Sequence, residues 1–304
     1  MKPIICIAGP TASGKSTWAI QIAKSVGGEI INADALQVYS ELNIISARPS
    51  KSEMLNVPHH LFGHTQSNFR YSAGHWIMEV ESLILDILAR EKTPILTGGT
   101  GLYFKSLIDG IAKIPNIPSD IILETNKFRE QKGIKGLRNF AEKIDSKSAN
   151  RVLGNDVHRL MRIINVYKAT NKPLSFWQEN TKSVVPRIFC NCAVLLPERE
   201  MLYNAINSRF DEMMKKGLLS EAERIFAQNL DPGLPIMKAI GLREFFPYFS
   251  GDINLDEAVE LAKRNSRRFA KRQFTWFRGQ LKNWNEIKTK AQQKKFAKSI
   301  PYEV

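Results

Sequence analysis

The sequence predicts an α/β fold in which a parallel sheet is flanked by helices and interrupted by a helical insertion. Three observations predict it. Short apolar runs alternate with helical patterns over the first 110 residues, glycine-rich turns follow two of these runs, and strand patterns disappear between residues 114 and 187. The composition, 43% hydrophobic and 24% charged over 304 residues, excludes wholly disordered and fibrous classes.

The first element is an apolar strand at residues 3–8, and a helical pattern begins near Trp18. Between them lies a match to G-x-x-x-x-G-K-[ST], written Gly9-Pro10-Thr11-Ala12-Ser13-Gly14-Lys15-Ser16. In this context the glycines let backbone amides surround an anion, Lys15 adds a full charge and the Ser16 hydroxyl can bind Mg²⁺. The motif predicts a P-loop NTPase-like fold with a di- or triphosphate site, the alternative being a glycine-rich turn without a ligand.

The second strand is predicted at residues 29–33, with Asp34 at its carboxyl end. A helical pattern at residues 76–88 precedes another strand at 94–97, which ends in Gly98-Gly99-Thr100-Gly101. Ligands of open parallel sheets bind outside the carboxyl ends of the strands, so Asp34 should face the same crevice as the phosphate loop. There it is a candidate magnesium ligand or general base, and a capping or turn aspartate is the alternative.

Three segments organise the chain. Residues 1–113 are predicted to form the first part of the phosphate-loop core, 114–187 the helical insertion, and 188–304 the second part of the core. In the last segment a strand at 189–196 precedes helices at 199–216, 218–228 and 255–282. The lysine-rich end at 288–298 is expected to fray.

The net charge of +14 is unevenly distributed along the chain. Residues 1–110 are neutral, 111–196 carry 15 basic and 7 acidic residues, and 263–304 carry 13 basic and 2 acidic residues. Two basic blocks around a neutral core suggest surfaces that bind a polyanion such as nucleic acid, although solvated helical faces would have the same composition.

Membrane and disulfide-rich classes are not expected. Apolar runs fall far short of the roughly 20 residues that span a bilayer, and the amino terminus has no signal-peptide pattern. The three cysteines give neither a disulfide framework nor a four-ligand zinc spacing. The sequence therefore predicts a soluble protein of the reducing cytoplasm.

Seven blocks, in order along nearly the whole chain, resemble the tRNA dimethylallyltransferase (tRNA isopentenyltransferase, or IPP transferase) family. They are the phosphate loop at 9–16, I-N-A-D-A-L-Q-V-Y at 31–39, V-P-H-H-L at 57–61, G-G-T-G-L-Y at 98–103, N-D-V-H-R-L-M-R at 155–162, K-A-I-G-L-R-E-F at 238–245 and A-K-R-Q-F-T-W-F-R at 270–278. Apart from the phosphate loop, no block is decisive alone. Their order makes coincidence implausible.

The resemblance implies transfer of the dimethylallyl group from dimethylallyl diphosphate to the 6-amino group of the adenosine immediately 3′ of a tRNA anticodon. It implies that the phosphate loop holds the diphosphate with Mg²⁺ bound at Ser16, that Asp34 is the catalytic base and that Thr100 lies near the reacting end. The tRNA contacts would come from Asp34, Ala35, Leu36, Gln37 and Thr100, and from His158, Arg159, Leu160, Met161 and Arg162. In the basic carboxyl-terminal helix, Arg267, Arg268 and Arg272 are predicted to bind the tRNA backbone, with Arg278 nearer the diphosphate. A monomer is expected.

Some positions depart from the family pattern. Ala35 replaces a serine beside the target base, residues 43–49 read N-I-I-S-A-R-P in place of D-I-G-T-A-K-P, and Ile121 and Ile122 stand where an arginine is common. Rival functions are a small-molecule kinase, a nucleotide-gated RNA-binding protein and an adenylate isopentenyltransferase. The ordered blocks disfavour the first two, and the helical insertion, the basic blocks and the length favour tRNA over a free nucleotide.

Overall fold

The computed structural model describes residues 2–300, which divide into two compact units. Of these, residues 2–108 and 184–300 contribute to the core unit, and residues 109–183 form the insertion unit. The sequence predicts an insertion at 114–187. The observed bounds lie slightly earlier because the backbone amides of Val184 and Val185 both donate to the Leu107 carbonyl, which ties this return segment to the core.

Six parallel strands form the sheet of the core unit within residues 2–300, in the order β3-β2-β4-β1-β5-β6. The strands are β1 (Ile4–Ala8), β2 (Gly28–Asn32), β3 (His59–His60), β4 (Thr93–Gly98), β5 (Cys190–Leu195) and β6 (Asn285–Ile287). Strands β1, β2 and β4 are buried throughout, as central strands covered on both faces require. The parallel α/β fold predicted from the sequence is confirmed.

The helices follow the strands in the alternation expected of parallel crossovers. They are α1 (Lys15–Val26), α2 (Ala73–Ala89), α3 (Gly101–Asp109), α4 (Ser119–Ala149), α5 (Val157–Thr170), α6 (Leu174–Glu179), α7 (Arg199–Lys215), α8 (Leu218–Phe226), α9 (Phe246–Phe249), α10 (Leu255–Gln280) and α11 (Lys290–Lys298). Short 3₁₀ turns span Arg187–Phe189, Pro235–Lys238 and Arg243–Phe245. None of the helices in the described part of the chain is long and apolar enough to cross a membrane.

Helices α4, α5 and α6 form the insertion unit around their own hydrophobic core. Leu137, Ala141, Leu160, Ile163 and Ile164 are buried together there. Helix α4 is interrupted at Gly133, whose φ of 63° lies in the left-handed region, and again at Asp145. The buried carboxylate of Asp145 accepts hydrogen bonds from the backbone amides of Ser148 and Ser175, which joins α4 to α6.

The carboxyl-terminal end differs from the sequence prediction. Residues 288–298 were expected to fray, but α11 forms with a capping box at Thr289, and Phe296 packs on Trp18 of α1 with ring centroids 5.5 Å apart. Burial of this aromatic pair stabilises a helix that its charge pattern alone does not favour. The sequence also missed β3 and β6, because two or three residues are too few for a period-2 pattern.

Candidate active site

The phosphate loop connects β1 to α1 in the conformation that an anion-binding loop requires. Ala12 and Gly14 have positive φ angles of 61° and 81°, and the Ser13 amide donates to the Pro10 carbonyl at 3.3 Å. Gly14 is the amino-terminal cap of α1 and has no side chain to cover the first amides of the helix. These amides and the positive end of the helix dipole are therefore available to an anion.

Two side chains of this loop indicate that it is built for a ligand. The Ser13 hydroxyl is buried without a hydrogen-bond partner, a condition that a bound phosphate oxygen would relieve. Lys15 is partly buried, and burial lowers its pKa to about 8, an effect that the Asp34 carboxylate opposes and the Arg209 guanidinium reinforces. The loop thus holds a partly desolvated ammonium group and an unpaired hydroxyl. A bound phosphate group would pair with both.

Arg209 is a second cation at this site that sequence reasoning missed. It lies on α7, and its guanidinium donates to the Thr11 hydroxyl of the phosphate loop. Burial lowers the pKa of Arg209, and the Asp34 carboxylate opposes that shift. A signal existed in the sequence, because Arg209 follows Leu202 and Ile206 at helical spacing and so lies on the apolar face of its helix.

Asp34 follows β2 and is held in place by the side chain of Asn32. The Asn32 amide oxygen accepts from the Asp34 backbone amide at 2.9 Å, while its NH₂ group donates to the Asp34 carbonyl at 3.0 Å. One carboxylate oxygen of Asp34, Oδ1, accepts from the Leu36 amide at 3.0 Å. The other, Oδ2, lies where a Cβ atom on Gly99 would approach it to 3.2 Å, so the carboxylate adjoins the loop after β4.

Thr100 joins the loop after β4 to the loop after β2. Its hydroxyl oxygen accepts from the Ala35 amide at 2.9 Å, and its own amide donates to the Ala33 carbonyl at 3.1 Å. Ala35 contributes only its backbone amide to this contact. The replacement of the family's serine by alanine therefore does not remove the hydrogen bond. A Cβ atom on Gly98 would lie 2.0 Å from the Ala33 carbonyl oxygen, which explains why the two loops approach so closely only with glycine there.

Gln273 of α10 joins the phosphate loop to the loop after β4. Its side-chain oxygen accepts from the Thr11 amide at 2.9 Å, and its NH₂ group donates to the Gly99 carbonyl at 2.9 Å. The sequence placed Gln273 in a motif block without a role. A polar residue on the face of α10 that buries Ala270 and Phe277 is the signal that could have found it.

These residues line one cavity of about 630 Å³ in the core unit. Its polar wall includes Thr11, Asp34, Thr100, Arg209 and Gln273, which come from three loops and two helices. The rest of its lining is mainly apolar and includes Leu36, Ile45, Leu102, Ile206, Phe210, Met213, Ile240, Phe269, Trp276 and Phe277. A volume of this size accommodates a small organic ligand, with the polar wall at its charged end.

A buried carboxylate shapes another wall of this cavity. Glu221 of α8 accepts from the backbone amides of Asn43, Ile44 and Ile45 at 3.1, 2.9 and 2.9 Å. Gln37 holds the far end of the same loop by donating to two backbone carbonyls, those of residues 46 and 47. The departures from the family pattern at residues 43–47 thus lie in a loop that is held largely through its backbone groups, with the Ser46 hydroxyl adding a hydrogen bond to the Leu42 carbonyl at 2.7 Å.

The predicted tRNA-binding residues of α5 fall on two faces of that helix. His158, Arg159 and Arg162 are exposed, whereas Leu160 and Met161 are buried in the core of the insertion unit. The helical period separates them, since consecutive residues point about 100° apart. Of the five residues, only His158, Arg159 and Arg162 have side chains that are accessible to a ligand.

The basic residues of α10 also divide into two groups. Arg268 and Arg272 are exposed, and Arg272 lines the mouth of the cavity. Arg267 is partly buried and donates to the Asn207 side chain of α7 at 2.6 Å, which fixes the packing of the two helices. Arg278 is exposed and stacks on Phe274, with its guanidinium 5.3 Å from the ring centroid.

A divalent cation would find few protein ligands here. Within the part of the chain that the structure describes, no group of three His, Cys, Asp or Glu residues is arranged to hold a metal ion. Ser16 lies in the first turn of α1, three residues after Ser13, whose hydroxyl is buried and unpaired. This fits Mg²⁺ bound through substrate phosphates and water with one hydroxyl ligand, which is the usual manner of that ion. His59 and His60 lie in the short strand β3, and the Nε2 atom of His60 is 2.7 Å from a carboxylate oxygen of Glu29.

Comparison with known proteins identifies the family of this chain. The family model described as IPP transferase matches residues 37–280, and that described as isopentenyl transferase matches residues 2–62. The tRNA dimethylallyltransferases of Hyphomonas neptunium and Maricaulis maris are each 43% identical to it, covering 94% and 95% of this chain and 91% and 94% of their own.

Solved structures similar to this chain come from the same kind of enzyme. The tRNA isopentenylpyrophosphate transferase of Bacillus halodurans has a TM-score of 0.70 at 31% identity, covering 98% of this chain and 95% of its own. A eukaryotic dimethylallyltransferase acting on tRNA has a TM-score of 0.80 at 28% identity, covering 91% of this chain and 70% of its own. Because the IPP transferase model spans residues 37–280 and relatives of 43% identity cover more than nine tenths of it, this chain belongs to the IPP transferase family.

Proposed function

We propose that this protein is a tRNA dimethylallyltransferase, which moves the dimethylallyl group of dimethylallyl diphosphate to the 6-amino group of the adenosine immediately 3′ of the anticodon. The observation that carries the proposal is that the Asp34 carboxylate and the phosphate-loop residue Thr11 line the same largely apolar cavity. A prenyl diphosphate needs an anion site and an apolar site side by side. The acceptor amine needs a carboxylate next to both.

The phosphate-loop end of the cavity suits the leaving diphosphate. As the allylic carbon–oxygen bond breaks, negative charge accumulates on the diphosphate oxygens. The Lys15 ammonium, which donates to the Pro10 carbonyl at 3.3 Å, and the Arg209 guanidinium, which donates to the Thr11 hydroxyl, both lie at the phosphate loop with the amides at the start of α1, so cations and donors are in place for that charge. The Ser16 hydroxyl would hold Mg²⁺, which would supply charge neutralisation for the leaving group.

Asp34 suits the acceptor. The lone pair of the adenine 6-amino group is delocalised into the ring, which makes it a weak nucleophile. As the new nitrogen–carbon bond forms and the carbon–oxygen bond breaks, a proton leaves the nitrogen and Asp34 accepts it. The Leu36 amide occupies Oδ1, and the Thr100 hydroxyl beside the carboxylate is bound as an acceptor by Ala35, so it can donate to the substrate.

The target base has to leave the stack of the anticodon loop to reach this site. Trp276 and Phe269 line the cavity with Leu102, which is 52% exposed, and offer apolar surface to an extruded purine. A Cβ atom on Gly101 would lie 2.0 Å from the Trp276 ring, so this glycine lets the indole reach the loop that carries Thr100.

The direct test is an assay on purified protein with an anticodon stem-loop RNA, Mg²⁺ and dimethylallyl diphosphate. Mass spectrometry should find a five-carbon addition to one adenosine, and replacement of that adenosine by guanosine should abolish it. A parallel reaction with ATP in place of the prenyl donor should leave the RNA unchanged. A phosphorylated product, or no addition under any condition, contradicts the proposal.

The exposed basic face of α10 is expected to bind the tRNA backbone. Replacing Arg268 and Arg272 with glutamine should weaken tRNA binding and lower the slope of log K against log salt by about 0.7 to 0.9 for each phosphate that is no longer bound. Binding is measured by fluorescence anisotropy over a salt series. Arg224→Gln on α8, which is also exposed, is the matched control and should leave the slope unchanged. An unchanged slope in the double variant would exclude α10 from the RNA interface.

A further inference from the structure

We propose that Gln273 is a positioning residue for the transfer reaction, because its side-chain amide sets the distance between the phosphate loop and the loop that carries Thr100. The inference rests on the proposed function. Gln273 lies on α10 and is 7% exposed, yet both ends of its amide contact backbone groups of loops that follow different strands. It is the side chain through which α10 joins these two loops.

The two hydrogen bonds require a side chain that both donates and accepts, as an amide does. The Thr11 backbone offers an N–H donor and the Gly99 backbone a carbonyl acceptor, at 2.9 Å each. Of the other side-chain groups, a carboxylate only accepts, an ammonium only donates and the aliphatic group of leucine does neither. Loss of the amide therefore leaves a buried backbone donor, a buried backbone acceptor or both unpaired.

The packing around Gly99 makes this distance hard to change. A Cβ atom on Gly99 would lie 2.6 Å from the Gln273 Nε2 atom, 3.2 Å from the Asp34 Oδ2 atom and 3.6 Å from the Gly9 carbonyl oxygen. The Gly99 backbone is thus in close contact with Gln273, with the candidate base and with the first residue of the phosphate loop. Gln273 holds that junction together from the side of α10.

The functional consequence follows from geometry. The diphosphate is bound by the phosphate loop, whereas the amine is oriented by Asp34 and Thr100 across the junction. A shift of about 1 Å between the two loops would misalign nitrogen, carbon and leaving oxygen, and misplacement on that scale costs on the order of 10²-fold in rate. Because the Gln273 amide acts through its hydrogen bonds to the Thr11 and Gly99 backbone, and Lys15 and the helix amides rather than Gln273 hold the diphosphate, the binding of each substrate alone should change little.

The experiment compares Gln273→Leu with Gln273→Glu in the full-length protein. We expect Gln273→Leu to lower kcat by about 30- to 100-fold while the Kd values for inorganic diphosphate and for tRNA stay within about threefold. Gln273→Glu adds a second measurement, the pH dependence of kcat, which would not change if Gln273 served only to fill space in the packing. Its protonated carboxyl group has one donor and one acceptor, as the amide does, so its kcat relative to wild type should rise as the pH falls.

The pH readout is taken as a ratio to wild type between about pH 5.5 and 8.5. Asp34 adjoins this junction from the loop after β2, and Lys15, Arg209 and Tyr103 interact with Asp34 from α1, α7 and α3, but wild type and variant share these groups. The kcat ratio for Gln273→Glu should rise about tenfold towards low pH, whereas that for Gln273→Leu should stay constant.

Gln280→Leu, at the exposed end of the same helix, is the matched control and should retain wild-type kcat. Thermal unfolding of each variant shows whether it is folded at the assay temperature. A folded Gln273→Leu variant with kcat within twofold of wild type overturns the inference, as does a constant ratio for Gln273→Glu. Failure of the proposed function would be seen differently, as the absence of prenyl transfer by the wild-type protein.

Discussion

Replacing Asp34 with asparagine is expected to lower kcat for prenyl transfer by about two to four orders of magnitude, which is the contribution typical of a general base. Asparagine is the informative replacement because its side-chain oxygen can still accept from the Leu36 amide, as Oδ1 does. The loop after β2 should therefore keep its conformation. What disappears is the oxygen that takes the proton.

The measurement separates chemistry from binding. Steady-state rates with saturating stem-loop RNA give kcat, and single-turnover rates isolate the transfer step. Anisotropy reports tRNA affinity, which should be unchanged or slightly tighter because a negative charge has been removed. Asp252→Asn, in a turn of the core unit far along the chain, is a charge-matched control and should retain full activity. Weaker affinity with an unchanged rate would refute the role of Asp34 as base.

Lys15→Met should be nearly as damaging, but for a different reason. The substitution keeps the length and the apolar stem of the side chain and removes the ammonium group from the phosphate loop. A charged hydrogen bond of about 1.5 to 3 kcal/mol corresponds to a loss of roughly 10- to 100-fold in affinity for inorganic diphosphate. The loss in kcat should be larger, about 10²- to 10³-fold, because the charge on the diphosphate grows as the bond breaks. Calorimetry gives the first number and steady-state kinetics the second.

The pH dependence of diphosphate binding provides a separate check on Lys15. Its pKa of about 8 lies below the ordinary value for lysine, so the ammonium form is full below that pH and declines above it. Because the ammonium form binds the anion, wild-type affinity relative to Lys15→Met should be greatest below about pH 8 and should fall as the pH rises through 8. Lys24→Met at the other end of α1 serves as control. A constant ratio would place Lys15 outside the diphosphate site.

Much of the fold was predictable because its signals are local. The buried strands β1, β4 and β5 are short apolar runs bounded by turn residues, and each was predicted to within about a residue or two. The phosphate loop is contiguous, so its eight residues carry their chemistry wherever the chain folds. Asp34 was found because strand ends in a parallel sheet converge on one edge.

The features that the sequence missed depend on contacts between distant segments. Arg209 and Gln273 lie 198 and 262 residues from Thr11, and nothing in the local pattern of α7 or α10 names the loop that each one meets. Burial also divided residues that the sequence grouped together: Leu160 and Met161 face the core of the insertion unit while His158 and Arg162 face outward. Helix α11 depends on Phe296 packing against Trp18, which a count of lysines cannot show.

By itself, the sequence determined that this protein has a parallel α/β core, a phosphate-loop motif and an acidic residue at a strand end, since all three follow from residues that are neighbours in the chain. Only the tertiary structure decided that Arg209 contacts the phosphate loop, that Arg267 is used in helix packing and that Gln273 bridges two loops. The physical reason is that hydrogen bonds and burial depend on where side chains meet in space, whereas spacing along a chain fixes only the nearest turns and strand ends.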